Sequence, residues 1–492
     1  MAEESQAALA TPAGRGIVLA AVLGSSVALL DGTVVNVALP HIGGDLGSGM
    51  DGLQWIVNGY TLMLAALVLT GGALGDRFGR RRLFLVGVIW FGVASALCGF
   101  APNIGTLIVA RIAQGIGAGL LTPGSLAIIQ ASIRKSDRAK AIGAWSGLGG
   151  VAAAAGPFLG GWLVDAFSWP WIFFLNIPLV IVSVLATLKW VPETRDETAT
   201  GRFDITGNVL GALFLGGVTF ALVQSGDPGP AIVAGVVGVA CGIAFVIVER
   251  RSASPVLPPT MFASRQFTAI NAVTFCVYAG LGGVLFFLVM QLQVVSGYSA
   301  LEAGITMLPF TMLMLVFSAR AGALGERLGP RLPLAVGSAL SAIGILLLLG
   351  VGPDAPYLTR VLPGVLVLSV GMTITVAPLT AGVLAAADAA HAGVASGINN
   401  AVARAASLLA VAALPMAAGI TGDSYEDPTA FAPGYRIAVV ICAGLVLVGA
   451  VIAALLVSGR EPEPEAPRPV CRTQCPYAAP QLEPDAEAAT PS

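Results

Sequence analysis

Charge is what this chain has least of. Only 11% of its 492 residues are Asp, Glu, Lys or Arg, against about 25% in ordinary soluble domains. Meanwhile 56% are apolar, and the mean hydropathy is +0.87. A water-soluble fold of this size cannot hide so much apolar surface, which leaves an integral membrane protein. Histidine is nearly missing as well. His41 and His391 fall on connections predicted to face opposite sides, which argues against a metal enzyme. Cys98, Cys241, Cys276 and Cys442 fall in or at apolar stretches, where thiols pack as small hydrophobes. Cys471 and Cys475 form a C-x3-C pair in the tail with no histidine nearby, a poor metal site. A phosphate-binding loop of the G-x4-G-K-[ST] form is absent, which argues against ATP drive by this chain alone. So is any His/Asp/Ser or metal constellation that a membrane enzyme would need. The polar start, residues 1–14, lacks a basic n-region before the first apolar stretch, so no cleaved signal peptide is expected. No cofactor and no nucleic-acid partner are expected.

The chain is rich in apolar stretches of about 20 residues, the length of a spanning helix and not the alternating tens of a barrel. Fourteen are counted, giving an all-α membrane protein of fourteen transmembrane helices. Arginine and lysine crowd the even-numbered connections: Arg77, Arg80, Arg81 and Arg82 in the second, Arg134, Lys135, Arg138 and Lys140 in the fourth. Lys189, Arg195 and Arg202 follow in the sixth, Arg250, Arg251 and Arg265 in the eighth, Arg327 and Arg331 in the tenth. The odd-numbered connections carry acids instead, among them Asp45, Asp51, Asp165, Asp227 and Asp423. The positive-inside rule then puts both termini in the cytoplasm.

A repeat divides the chain. Gly72-Ala-Leu-Gly-Asp76-Arg77-Phe-Gly79-Arg80 after the second span is matched by Gly322-Ala-Leu-Gly-Glu326-Arg327-Leu-Gly329 after the tenth. Two copies on one membrane side imply two related halves. The division is a cytoplasmic segment 1–16, a six-helix half 17–190, an inserted two-helix region 191–266, a second six-helix half 267–458, and a tail 459–492. The Pro/Glu/Ala-rich tail is expected to be disordered.

Two charges sit at membrane depth, where each costs a few kcal/mol on the most lenient scales. Asp31 lies fourteen residues beyond Ile17, about 21 Å into a core of roughly 30 Å. Arg111 lies six residues beyond Gly105, about 9 Å in from the other side. The two therefore meet at one level. Arg111, Gln114 and Gly115 share a helix face at i, i+3, i+4, presenting a charge, an amide and a gap for a neighbouring backbone. Desolvation disfavours a carboxylate and a nearby guanidinium favours it, so motion that changes their separation would load and release a proton. The plainer alternatives are a static ion pair and, for Gln114, an interhelical hydrogen bond.

Four segments carry a resemblance to a known family. They are Leu30-Asp31-Gly-Thr33-Val-Val-Asn36 in the first span, the loop Gly72 to Leu83, Arg111-Ile-Ala-Gln114-Gly115 in the fourth, and Gly156-Pro157-Phe-Leu-Gly160-Gly161 in the fifth. Over about residues 15–458 the chain resembles the major facilitator superfamily, and within it the fourteen-span drug/proton antiporters. The resemblance implies two six-helix major facilitator halves with two extra helices between them. It also implies alternating access, a proton-coupling role for the fourth-helix motif, and export as the direction associated with the fifth-helix motif. The expected cargo is an amphipathic drug, dye or antibiotic, exchanged for protons across a bacterial plasma membrane by a monomer. A nutrient importer or facilitator of the same fold is the alternative.

Further site residues follow. In the loop motif, Gly72 and Gly79 permit close approach, Asp76 is placed to meet a helix N-terminus, and Arg80 to pair with acids or lipid headgroups. Arg77, Glu326 and Arg327 complete the two copies, read as a conformational latch, with a positive-inside anchor as the plainer account. Asn36, Asn58, Tyr60 and Asn176 are cavity candidates, as is Trp55, which equally suits an interfacial belt. Asn399, Asn400 and Arg404 form a polar run in the thirteenth span. Arg404, about 16 Å in, either binds an anionic group or reaches the inner interface, the second being preferred. The family's usual Arg between two aromatics is replaced by Pro170 in Trp169-Pro170-Trp171. No additional mid-membrane acid of the kind that favours dicationic drugs is found in the second half.

Overall fold

The computed structural model describes residues 6–195, 204–224, 228–252, 255, 257–386 and 392–459. Arg202, Asp227, His391 and the tail with Cys471 and Cys475 lie outside these. Fourteen helices are long and apolar enough to span a membrane: α1 Pro12–Leu46, α2 Met50–Phe78, α3 Arg80–Gly99, α4 Ile104–Ser132, α5 Arg138–Ala166, α6 Trp171–Trp190, α7 Ile205–Val223, α8 Pro228–Arg251, α9 Arg265–Val295, α10 Ala300–Gly325, α11 Arg331–Gly350, α12 Tyr357–Ala385, α13 Gly393–Ala417 and α14 Pro428–Leu456. The helix ends follow local chemistry. Thr11 caps α1 by accepting from the Gly14 amide at 3.1 Å, with Pro12 in the first turn, and α1 closes on Gly47 at φ 60°. The helix therefore begins five residues before Ile17, where the first long apolar run starts, because capping and not hydropathy sets its start.

The two halves repeat one packing scheme. In the first, α1 lies on α5 and α6, and α4 lies on α2 and α3. In the second, α9 lies on α13 and α14, and α12 on α10 and α11. Glycine allows the closest of these approaches. A Cβ on Gly117 would stand 2.7 Å from the Phe91 amide nitrogen, and one on Gly87 2.9 Å from that of Leu121. Gly344 and Gly371 occupy corresponding contacts between α11 and α12. Gly117→Val is accordingly expected to lower the melting temperature of the detergent-purified protein, at a cost of about 1–3 kcal/mol for overpacking.

The insert runs along the first half. Trp55 of α2 stacks near Phe220 of α7 at 6.0 Å, Leu62 meets Gly216, and Thr70 donates to Asn208. Helix α7 also touches α13, so the insert covers the seam where α2 and α13 face each other.

Contacts between the halves concentrate on the acid-bearing face. Gln54 Nε2 donates to the carbonyls of Val411 and Ala412 at 2.7 and 2.9 Å, and Gln293 Nε2 to that of Val37 at 2.9 Å. The Asp165 carboxylate accepts from the Ala300 and Leu301 amides at 3.2 and 2.9 Å, capping α10 from the other half. The Tyr425 hydroxyl donates to the Ser48 carbonyl at 2.7 Å. Burial, with Glu426 beside it, pushes that phenol well above its usual range, so the donor persists across physiological pH. Toward the arginine-rich face α5 and α10 part. A Cβ on Gly143 or Gly147 would meet nothing within 4 Å, and Leu315 to Arg320 are exposed.

Candidate functional site

The site is built where α1, α2, α4 and α6 converge. Asp31 is fully enclosed and Arg111 is 1% exposed, so neither charge meets lipid or open solvent. Arg111 Nη1 donates to Asp31 Oδ2 at 2.5 Å and to Gln114 Oε1 at 2.6 Å, while its Nε donates to the Ile56 carbonyl at 3.1 Å. Gln114 Nε2 and Asn176 Nδ2 both donate to Asp31 Oδ1, at 2.8 and 3.0 Å. Asn176 is held in turn by Ser95, whose hydroxyl donates to the Phe173 carbonyl at 2.8 Å. The guanidinium carbon lies 4.4 Å from the centre of the Tyr60 ring and 5.8 Å from that of Phe173. Tyr60 is fixed by donating to the Ala28 carbonyl at 3.0 Å.

Three donors from two helices thus occupy three of the roughly four acceptor positions of one carboxylate on a third. A protonated carboxyl becomes a donor itself. A proton arriving at Asp31 weakens the hold of Arg111, Gln114 and Asn176 on it, which favours a shift of α1 against α4 or α6. Gly115 serves the same contact. A Cβ there would overlap the Tyr60 carbonyl oxygen, so glycine lets α2 and α4 close around the pair. Asn176→Leu removes one donor from Asp31 and is expected to cost about 1–3 kcal/mol of stability, with weakened but not abolished proton coupling, read by thermal unfolding beside vesicle flux.

The sequence candidates separate in space. Asp31, Arg111 and Gln114 come together. Tyr60 and Asn176, expected in the cavity, belong instead to the buried network. Asn176 shares its apolar helix with buried Ser183 and Thr187, a polar stripe at i, i+7, i+11 that was the available signal. Ser95 offered none. Trp55 packs on the insert at Phe220. Asn36 is partly exposed and makes no hydrogen bond among the described residues. Asn399 donates to Asn271 and Thr274 on α9, at 3.1 and 2.7 Å, and Asn400 is exposed.

In the loop motif, Asp76 meets no helix N-terminus among the described residues. It pairs with Arg80 at 2.7 Å, one turn along. The start of α3 is held by Glu193, which accepts from the Arg81 amide at 3.1 Å. A Cβ on Gly79 would approach that same carboxylate, and Gly79 has φ 111°. Gly72 faces Pro123, and Arg77 lies over Phe78. Arg327 is exposed, and the side chain of Glu326 lies outside the described residues. The fifth-helix motif lies between two neighbours. Gly156 and Gly160 face Thr33 and Val34 of α1, whereas Gly161 faces Ala300 and Leu301 of α10, and the Pro157 carbonyl faces Gly304.

Two repeated six-helix halves joined by a seam, the first enclosing a carboxylate–guanidinium pair, define a membrane transporter. Residues 21–412 match the Major Facilitator Superfamily, and the chain belongs to that family. It is 35% identical over 385 residues to the Multidrug resistance protein Stp of Mycobacterium tuberculosis, covering 77% of this chain and 71% of that one. It is 35% identical over 464 residues to the Puromycin resistance protein pur8 of Streptomyces alboniger, covering 91% of each. The Tetracenomycin C resistance and export protein of Streptomyces glaucescens is 34% identical over 421 residues, covering 83% and 77%. Among solved structures the fold is similar to a peptide transporter POT, with TM-score 0.68 at 14% identity over 92% of this chain and 98% of that one. It is also similar to a D-xylose-proton symporter, with TM-score 0.64 at 15% identity over 91% and 99%.

Proposed function

We propose that this protein is a proton-driven exporter of amphipathic small molecules, of the drug or antibiotic kind named in its relatives. It sits in the plasma membrane as a monomer with both termini in the cytoplasm. The proton gradient is its energy source and it needs no cofactor. The observation that carries this reading is the enclosed Asp31 carboxylate, whose three donors lose their charged acceptor when it takes a proton. That carboxylate is linked mechanically to the seam. Helix α1 packs on the Gly156–Gly160 face of α5, and the adjoining face of the same stretch, at Pro157 and Gly161, packs on α10 of the other half. Motion of α1 on protonation is thereby passed to the contact that shuts the acid-bearing face.

The arginine-rich face is cytoplasmic on this reading, so cargo enters where α5 and α10 part. Protonation from outside resets the pump. The membrane potential supplies about 2.3 kcal/mol per charge per 100 mV, enough for one proton to support useful accumulation. The test uses everted vesicles under an inside-acid gradient, with a fluorescent dye or antibiotic outside and both lumenal pH and cargo recorded. Export in the cell appears here as cargo moving inward while protons leave. Cargo and protons moving in the same direction would establish symport and overturn the reading.

A further inference from the structure

Arg404 is a mid-membrane charge that the proton site does not use. It stands eleven residues beyond Gly393, about 16 Å along α13. The helix that carries it, α13, packs on α2 of the first half and on α9 of its own. Arg404 therefore lies at mid-depth on a helix that meets the other half at α2. Among the described residues it has no ion-pair partner and no hydrogen bond, in contrast to Arg111. It is nevertheless partly exposed. A guanidinium so placed is costly unless water or a ligand meets it.

Its own helix and the facing one carry amides. Asn400, one turn earlier on the same face of α13, is exposed. Across the seam, Gln54 marks the face of α2 that meets α13. Asn58, one turn further on that face, is completely buried, and neither atom of its amide has a partner among the described residues. A buried amide with both atoms unpaired is uncommon and calls for an explanation. A cation that lacks an anion and an amide that lacks a partner flank one seam.

We propose that this seam holds an acidic-group subsite. Arg404 takes the carboxylate of an otherwise apolar cargo through its planar fork, and the Asn58 amide supplies a further donor. The cargo class is then the amphipathic carboxylate, deepening the export reading above and resting on it for the direction of movement alone. An anion leaving the cell moves with the membrane potential, so its exchange for protons draws on the potential twice.

Binding tests this without transport. The full chain, in phosphatidylcholine nanodiscs without any gradient, is titrated with 1-pyrenebutyrate and with its methyl ester, read by quenching of tryptophan fluorescence. The wild type should prefer the acid by about tenfold or more. Arg404→Gln should erase that preference while leaving the ester unchanged, which also reports an intact fold. Arg404→Lys, keeping the charge without the fork, should retain part of it, and high salt should weaken it. Equal binding of acid and ester by the wild type, or a preference that survives Arg404→Gln, would overturn the subsite. Loss of the preference on adding phosphatidylglycerol would assign Arg404 to a lipid headgroup instead of cargo. Failure of vesicle transport with this binding intact would remove the export reading and leave the subsite standing.

Discussion

Asp31→Asn is expected to reduce cargo-driven proton exit from everted vesicles by about a hundredfold or more, although asparagine matches aspartate in shape. The reason lies in the donor count. Arg111 donates to one carboxylate oxygen, and Gln114 and Asn176 donate to the other. An amide at position 31 must turn its NH2 either toward the guanidinium or toward the two amide donors. Rotating Gln114 to compensate would sacrifice its own acceptance from Arg111. No arrangement satisfies all four groups, and none carries a titratable proton. Arg111→Gln leaves the carboxylate buried without its counter-ion, a loss of about 3–5 kcal/mol, and should lower yield as well as flux. The double variant, Asp31→Asn with Arg111→Gln, buries no charge. It should recover much of that stability without recovering coupling, which separates the fold from the mechanism. Normal proton exit in Asp31→Asn would reduce the pair to a structural ion pair.

The meeting of Asp31 and Arg111 was legible in the sequence because depth is nearly linear in residue number along a helix. Two charges counted from opposite faces arrived at the same level, and the structure joins them at 2.5 Å. The halves were legible for a similar reason, since the loop motif is a local pattern repeated after two of the helices. Groups recruited sideways were not. Ser95, Asn176 and Tyr60 reach the pair through rotations of α3, α6 and α2 that hydropathy does not encode. Asp165 read as one more acid on its face, yet it caps α10 of the other half. That pairing exists only once the seam is formed. Asp76 illustrates the limit within a single motif. Its carboxylate had two cationic targets nearby, an exposed helix start and Arg80 one turn on. The helix start is taken by Glu193, more than a hundred residues away in sequence.

Gly161→Leu is expected to hold the transporter open toward the acid-bearing face and to abolish net transport. In the closed seam a Cβ at this position would overlap the Ala300 carbonyl oxygen and come within 2.5 Å of the Leu301 Cα. Both atoms belong to backbone in the first turn of α10, so neither can swing aside as a side chain would. Gly304 faces the Pro157 carbonyl from the opposite side of the same contact, which leaves no slack for α10 to slide. An overpacking cost of about 1–3 kcal/mol applied to one conformation alone changes its population by about 5- to 150-fold. The intra-half packings of α5 on α1 and α9 on α13 do not involve this face of Gly161, so folding should survive. The measurement is labelling of Val37→Cys, in a background without the six native cysteines, by a membrane-impermeant maleimide added from the acid-bearing side. Val37 is buried beneath the seam and its carbonyl accepts from Gln293. Labelling should be slow in the parent and at least several-fold faster with Gly161→Leu. Gly161→Ala should lie between them, because its single methyl makes the same overlap with less bulk behind it. Equal labelling in all three, with transport retained in Gly161→Leu, would mean that the fifth-helix glycine packs the halves without gating them. The direction of transport would then have to come from the proton site alone.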